Sequence, residues 1–161
     1  MKSLTKKSYE TELNAIKALL PELDEIIHKI RADNQFKIER KAKNDLVTSA
    51  DLASEAFIVN RLSELFPDDV IWAEENHAQP EELDQRIWII DPIDGTTNFS
   101  HGFAPYCVSI ALWDRTVLVL GLVYELAHKQ CFYATKGQGA YLDGTVLSVS
   151  PCTQHEDSLI A

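Results

Sequence analysis

Apolar residues recur at helical spacing from about Thr5 to Asp33, where Tyr9, Leu13, Ile16, Leu20, Leu23, Ile27 and Ile30 form one stripe between charged positions. The pattern predicts an amphipathic helix with its stripe against a core. Pro21 lies inside it, and a proline removes one backbone donor and crowds the preceding turn, so a kink or break is expected there. Residues 36–41 alternate well enough for a short strand, and residues 41–45 read as a polar connection. Thr48 then fits an N-cap, with Asp51 three residues later able to return a hydrogen bond in a capping box. The second helix is expected to reach Leu65 or Phe66, with Leu52, Ala56, Phe57 and Leu62 inward, before Pro67-Asp68-Asp69 ends it.

Beyond this point the period becomes extended. Residues 70–73, 86–90, 106–113, 116–124, 130–134, 140–142 and 146–149 read as strands separated by turn chemistry at Asp114-Arg115, Ala127-His128-Lys129, Lys136-Gly137-Gln138-Gly139 and Asp143-Gly144. The last pair is a type I′ hairpin signal, and connections this short imply antiparallel neighbours. Two helices followed by a strand meander predict an α+β fold, with the helices packed on one face of a mainly antiparallel sheet. The 161 residues suffice for one core and crowd two, so a single domain is expected. Residues 158–161 look like a strand just beginning, which reads as a fragment.

Composition adds limits rather than an activity. A hydrophobic fraction of 45% with 25% charged residues argues against disorder and against a fibrous chain. The net charge of -10 opposes non-specific attraction to nucleic acid or an anionic membrane, so neither is expected as a partner. Cys107, Cys131 and Cys152 are odd in number and lack CxxC spacing, which suggests neither a disulfide framework nor a thiolate zinc site. The basic start runs into polar residues with no apolar h-region, and no apolar run is long enough for a membrane span. A cytoplasmic location is expected.

Candidate chemistry concentrates in residues 88–99, where the apolar Trp88-Ile89-Ile90 runs into Asp91-Pro92-Ile93-Asp94-Gly95-Thr96-Thr97-Asn98-Phe99. Pro92 is expected to fix a turn that aims Asp91 and Asp94 to one side. Paired carboxylates suit a hard cation such as magnesium better than zinc or copper. Gly95, Thr96 and Thr97 are expected to open a helical turn whose amides favour an anion. Taken alone, the string reads equally well as a turn capped by aspartates. Upstream, Glu74-Glu75 follows the apolar Val70-Ile71-Trp72 and alone reads mostly as solvated loop. It becomes a site only if Glu74 meets Asp91, which two strands lying side by side with equivalent ends would allow. Asp51 has two readings as well: a carboxylate favouring its helix dipole, or a partner that orients the Thr96 hydroxyl and takes a proton.

Together these segments resemble the inositol monophosphatase family. Asp45-Leu46-Val47-Thr48-Ser49-Ala50-Asp51 is similar to its D-x-V-T-x-x-D motif, Ala73-Glu74-Glu75 to its G-E-E, and residues 91–99 to its D-P-I-D-G-T-T-N-F. The resemblance extends over nearly the whole chain, including residues 106–112 and 136–140. It implies a first metal held by Glu74, Asp91 and the Ile93 carbonyl, and a second by Asp91 and Asp94. Thr96 with Asp51 would activate the attacking water, Glu74 belonging to the same catalytic group. Asp94 and the amides of Gly95 and Thr96 would receive the phosphate, and Glu75 would support. The reaction implied is magnesium-dependent, in-line hydrolysis of a phosphate monoester of inositol or a related sugar or polyol, with two or three Mg2+ ions and Mn2+ as a substitute. Residues 1–161 would then be the amino-terminal metal-binding domain of the inositol monophosphatase and fructose-1,6-bisphosphatase-like fold.

Two features depart from the family pattern. Ala73 replaces the glycine before Glu74, which restricts the backbone without removing the ligand. A W-D-x-A-A motif, carried in the family by a carboxy-terminal α/β domain, has no counterpart: Trp113-Asp114 is followed by Arg115-Thr116-Val117 at a hairpin. The domain is therefore expected to be absent, leaving the chain incomplete as a catalyst and disposed to form a homodimer or join a complementary half. The alternative is a non-catalytic metal-binding or interaction module.

Overall fold

A computed structural model describes residues 8–32, 36–42, 45–75, 79–151 and 153 of the chain. The strand expected from residue 158, Cys152 and the basic first seven residues lie outside them.

Helix α1 (Glu10–Ala32) runs unbroken through Pro21, where the sequence predicts a kink or break. Pro21 falls on the exposed side, while Ile16, Leu19, Leu20, Leu23 and Ile27 are buried on both sides of it in sequence. Burying that stripe along a continuous surface outweighs one lost helical hydrogen bond.

Strands β1 (Ile38–Ala42) and β2 (Asp45–Thr48) form a separate antiparallel pair. The second of these begins at the end of the stretch that reads as a connection, because a short polar strand carries no alternation to betray it. Helix α2 (Ser49–Leu65) starts where the N-cap pattern predicts. Thr48 caps it, accepting from the amides of Ala50 and Asp51, while Asp51 accepts from the Thr48 amide at 2.9 Å. Its inward face differs from expectation. Leu62 is buried, but Leu52 and Ala56 are exposed, and Asp51, Ser54, Glu55 and Ile58 occupy the buried side. A helix that buries three polar residues has a purpose for them beyond the core.

Seven strands make one sheet: β3 (Val70–Ala73), β4 (Arg86–Asp94), β5 (Cys107–Asp114), β6 (Val117–Glu125), β7 (Gln130–Thr135), β8 (Gly139–Leu142) and β9 (Thr145–Val146). Neighbours follow chain order, and every pair is antiparallel except β3 with β4. The Asp143-Gly144 turn behaves as predicted, with φ of 48° and 87° between the paired Leu142 and Thr145. Short helix α3 (Thr96–His101) follows β4 directly.

The two long helices cover one face of the sheet. Ile16, Leu23, Ile27, Ile58 and Leu62 meet Trp88, Ile90, Val108, Ile110, Leu112 and Leu122 in a continuous core, as period-2 alternation along the strands requires. At one end Arg86 fastens the layers, donating to Asp69 at 2.9 Å and to Glu12 of α1 at 3.0 Å, while the Trp88 indole donates to Asp69 at 2.9 Å. The other face is apolar and uncovered among the described residues. It carries a cavity of about 380 Å³ floored by Gly121, Val123, Phe132 and Ala134, with Leu118 and Leu147 exposed at its margin.

Candidate metal centre

The parallel pairing of β3 with β4 brings the two acidic segments together. Val70 to Ala73 lie opposite Ile87 to Ile90 in turn, so β3 ends level with Ile90 and the residues that follow it lie beside the last residues of β4. The Glu74 amide extends the ladder by donating to the Ile90 carbonyl at 3.1 Å, which places Glu74 beside Asp91. The Glu74 carboxylate is close enough to raise the pKa of Asp91.

Asp91 and Asp94 come to one side by a different route from the turn expected at Pro92. Three residues apart on a regular strand, they would face opposite sides. Here β4 runs on to Asp94, and its register with β5 shifts between Asp91, opposite Ser109, and Asp94, opposite Cys107. Three steps on one strand match two on the other, so one extra residue bulges and restores the parity. Pro92 and Ile93 are both buried, and Asp91 and Asp94 both face the side away from the helices, next to Ser109 and Cys107. Proline suits such a bulge because the ladder there needs no donor from it.

Asp91 carries the clearest electrostatic signature. Burial and the neighbouring Glu74, Asp94 and Asp51 carboxylates push its pKa up to about 7, and its Oδ1 is buried without a hydrogen-bond partner. Asp94 is exposed, and the Cys107 thiol lies 3.9 Å from its Oδ2. That thiol is in turn pushed up to about 11, by burial first and then by Asp94 and Asp91.

On the helix side of the same edge, the Thr96 hydroxyl lies 3.1 Å from Asp51 Oδ1 and 2.9 Å from the Ile93 carbonyl, and its single proton serves one of them at a time. Asp51 is 1% exposed; burial raises its pKa despite the bonds it accepts from Thr48 and Thr96. Gly95 begins α3 at φ 85°, a left-handed conformation natural to glycine, and a Cβ there would lie 3.3 Å from the Pro105 carbonyl. The Glu75 amide donates to Glu55 Oε2 at 2.7 Å. Sequence reasoning misses Glu55; its signal is its spacing, one helical turn beyond Asp51 on the same side of α2. A cavity of about 340 Å³ opens beside Glu74 and Asp91, over Trp72, Ile89, Ser109 and Ala111.

Among the described residues, no three His, Cys, Asp or Glu side chains stand close enough together to hold a metal ion as they are placed. The donor chemistry nonetheless fits a hard divalent cation. Asp91 contributes a buried, partnerless oxygen pointing among other carboxylates, and all the nearby charged donors are oxygens. Trp113-Asp114, by contrast, is structural: Trp113 donates to the Leu83 carbonyl at 3.1 Å, and Asp114 accepts from the Tyr9 hydroxyl at 3.0 Å.

Comparison with known proteins identifies the family. The model of the inositol monophosphatase family matches residues 6–161. Inositol monophosphatase 2 of Solanum lycopersicum is 42% identical over 128 residues, 77% of this chain and 48% of that protein. An inositol monophosphatase of Dictyostelium discoideum is 36% identical over 163 residues, 100% of this chain and 59% of its own length. A crystal structure of an IMPase/NADP phosphatase complexed with Mg2+ and phosphate superposes with a TM-score of 0.84 at 27% identity, covering 92% of this chain and 56% of that one. The chain thus spans about half the length of the curated relatives it matches. By family model, identity and fold alike, the chain belongs to the inositol monophosphatase family.

Proposed function

We propose that the chain is the metal- and phosphate-binding part of a magnesium-dependent phosphatase acting on a phosphate monoester of inositol or a related polyol. The observation that carries this reading is the meeting of Glu74 and Asp91 at the shared end of β3 and β4, with Asp94 turned to the same side by the bulge. Glu74, Asp91, Asp94 and the Ile93 carbonyl would hold the cations. Bound there, magnesium would supply Lewis acidity and neutralise phosphate charge. Thr96 and Asp51 handle the proton: with its hydroxyl donated to Asp51, Thr96 presents an oxygen lone pair to an incoming water, and as Thr96 accepts the water's proton it passes its own to the Asp51 carboxylate, which is thereby neutralised. The Gly95 and Thr96 amides, at the left-handed Gly95 that opens α3, would receive the phosphate. Glu75 would be a supporting carboxylate. A related structure complexed with Mg2+ and phosphate supports the ion and the ligand class, and Mn2+ is expected to substitute.

The 161-residue chain alone, spanning about half the length of its curated relatives, is expected to turn over weakly or not at all. The uncovered apolar sheet face supports association with a complementary half or with a second copy. The test is calorimetry of inorganic phosphate with and without magnesium. Phosphate binding that requires Mg2+ and is lost in Asp91→Asn is the expected result. No binding of either species at millimolar concentration would contradict the reading, and strong Mg2+-dependent hydrolysis by the pure chain would refute the expectation of weak turnover.

A further inference from the structure

Glu55 is among the most deeply buried charged residues described, 1% exposed, in the second turn of α2. Burying a carboxylate in a protein interior is costly unless it is well satisfied. Helical spacing puts it one turn along from Asp51 on the same face, and the two reach different strand ends. Asp51 accepts from Thr96 after β4, whereas Glu55 accepts from the Glu75 amide after β3. Charge-assisted bonds of this length are the stronger kind. The preceding amide, that of Glu74, is tied to the Ile90 carbonyl of β4. Two successive amides are therefore anchored to two different elements. Since the Glu74 side chain is itself exposed, it owes its direction to that backbone.

We propose that Glu55 is a positioning residue that sets the Glu74 carboxylate for cation binding by holding the Glu75 amide. The inference rests on the reading of Glu74 as a metal ligand given above. Helix α2 then acts as a template: one of its faces fixes the ends of both acidic strands, which explains why polar residues displace Leu52 and Ala56 from its buried side. Outer partners of metal ligands typically matter by tenfold or more in affinity.

The experiment compares Mg2+ affinity by calorimetry in the wild type, Glu55→Met and Glu55→Gln, with Leu62→Ala as a destabilised core control. Methionine keeps the volume and removes the acceptor, whereas glutamine retains an acceptor oxygen. Glu55→Met is expected to bind about tenfold more weakly, Glu55→Gln within a factor of about three, and Leu62→Ala as the wild type does. Unchanged affinity in a folded Glu55→Met, or an equal loss in Leu62→Ala, overturns the proposal. Amide hydrogen exchange in the metal-free wild type decides the matter even if Glu55→Met does not fold: a protected Glu75 amide supports the proposal, and an unprotected one overturns it. A wild type that binds no Mg2+ yet protects that amide would instead sink the metal reading of Glu74.

Discussion

Asp91 has a carboxyl whose pKa is pushed up to about 7, chiefly by burial and by Glu74, so its protonation is linked to folding. Against an ordinary value near 3.8, the folded chain holds a proton there that the unfolded chain has already released. Stability from this group is therefore fully present below about pH 4 and is lost as pH rises through 7. Asp91→Asn removes the titration. The thermal midpoint of the metal-free chain, compared between wild type and Asp91→Asn at pH 5 and pH 8, should shift in favour of the asparagine variant at the higher pH. A difference that stays constant across that range would show that Asp91 is an ordinary carboxylate. The residues of this site are largely legible in the sequence, since Asp51, Glu74, Asp91, Asp94 and Thr96 all stand at the edge where β3, β4 and α3 meet. Glu55 is not. A glutamate in a helix reads as a solvated face, and only the meeting with the Glu75 amide separates it from one.

At the scale of elements, local patterning fails where the chain departs from regular periodicity. The bulge at Pro92-Ile93 reads as a turn because alternation stops there, and one inserted residue is invisible without the partner strand's register. Apolarity alone predicts half of the inward face of α2: Leu62 is buried and Phe57 packs against the core, but Asp51, Ser54 and Glu55 claim the buried side that Leu52 and Ala56 would be expected to fill. The turn between β5 and β6 falls one residue later than Asp114-Arg115, since Asp114 still pairs with Val117. Its central residues, Arg115 and Thr116, hold φ of 48° and 71°. A β-branched residue is poorly suited to that region, and glycine carries no such penalty. Thr116→Gly should raise unfolding stability by about 1 kcal/mol, measured by denaturant titration. An unchanged or lower midpoint would mean that Thr116 offsets its strain through contacts glycine lacks.

At the scale of the molecule, the α+β class and the helices on one sheet face follow from the change of period at Pro67. The parallel placement of β3 beside β4 is only hinted at, by the long connection of residues 74–85, which exceeds a tight hairpin, and by the acidic motifs that follow or end the two strands. That placement is the step on which the proposed metal centre depends. The second face of the same sheet presents Leu118 and Val123 to solvent, with Leu147 exposed beside them. The most direct measurement titrates Mn2+ into the isotopically labelled chain and follows paramagnetic broadening of amide signals. Glu74, Asp91 and Asp94 should broaden first and together, the distant acidic residues Glu22 and Glu64 should stay sharp, and Asp91→Asn should abolish the effect. Broadening that begins at those distant acids, or spreads evenly over the acidic surface while residues 74, 91 and 94 are spared, would contradict a metal centre at the shared end of β3 and β4.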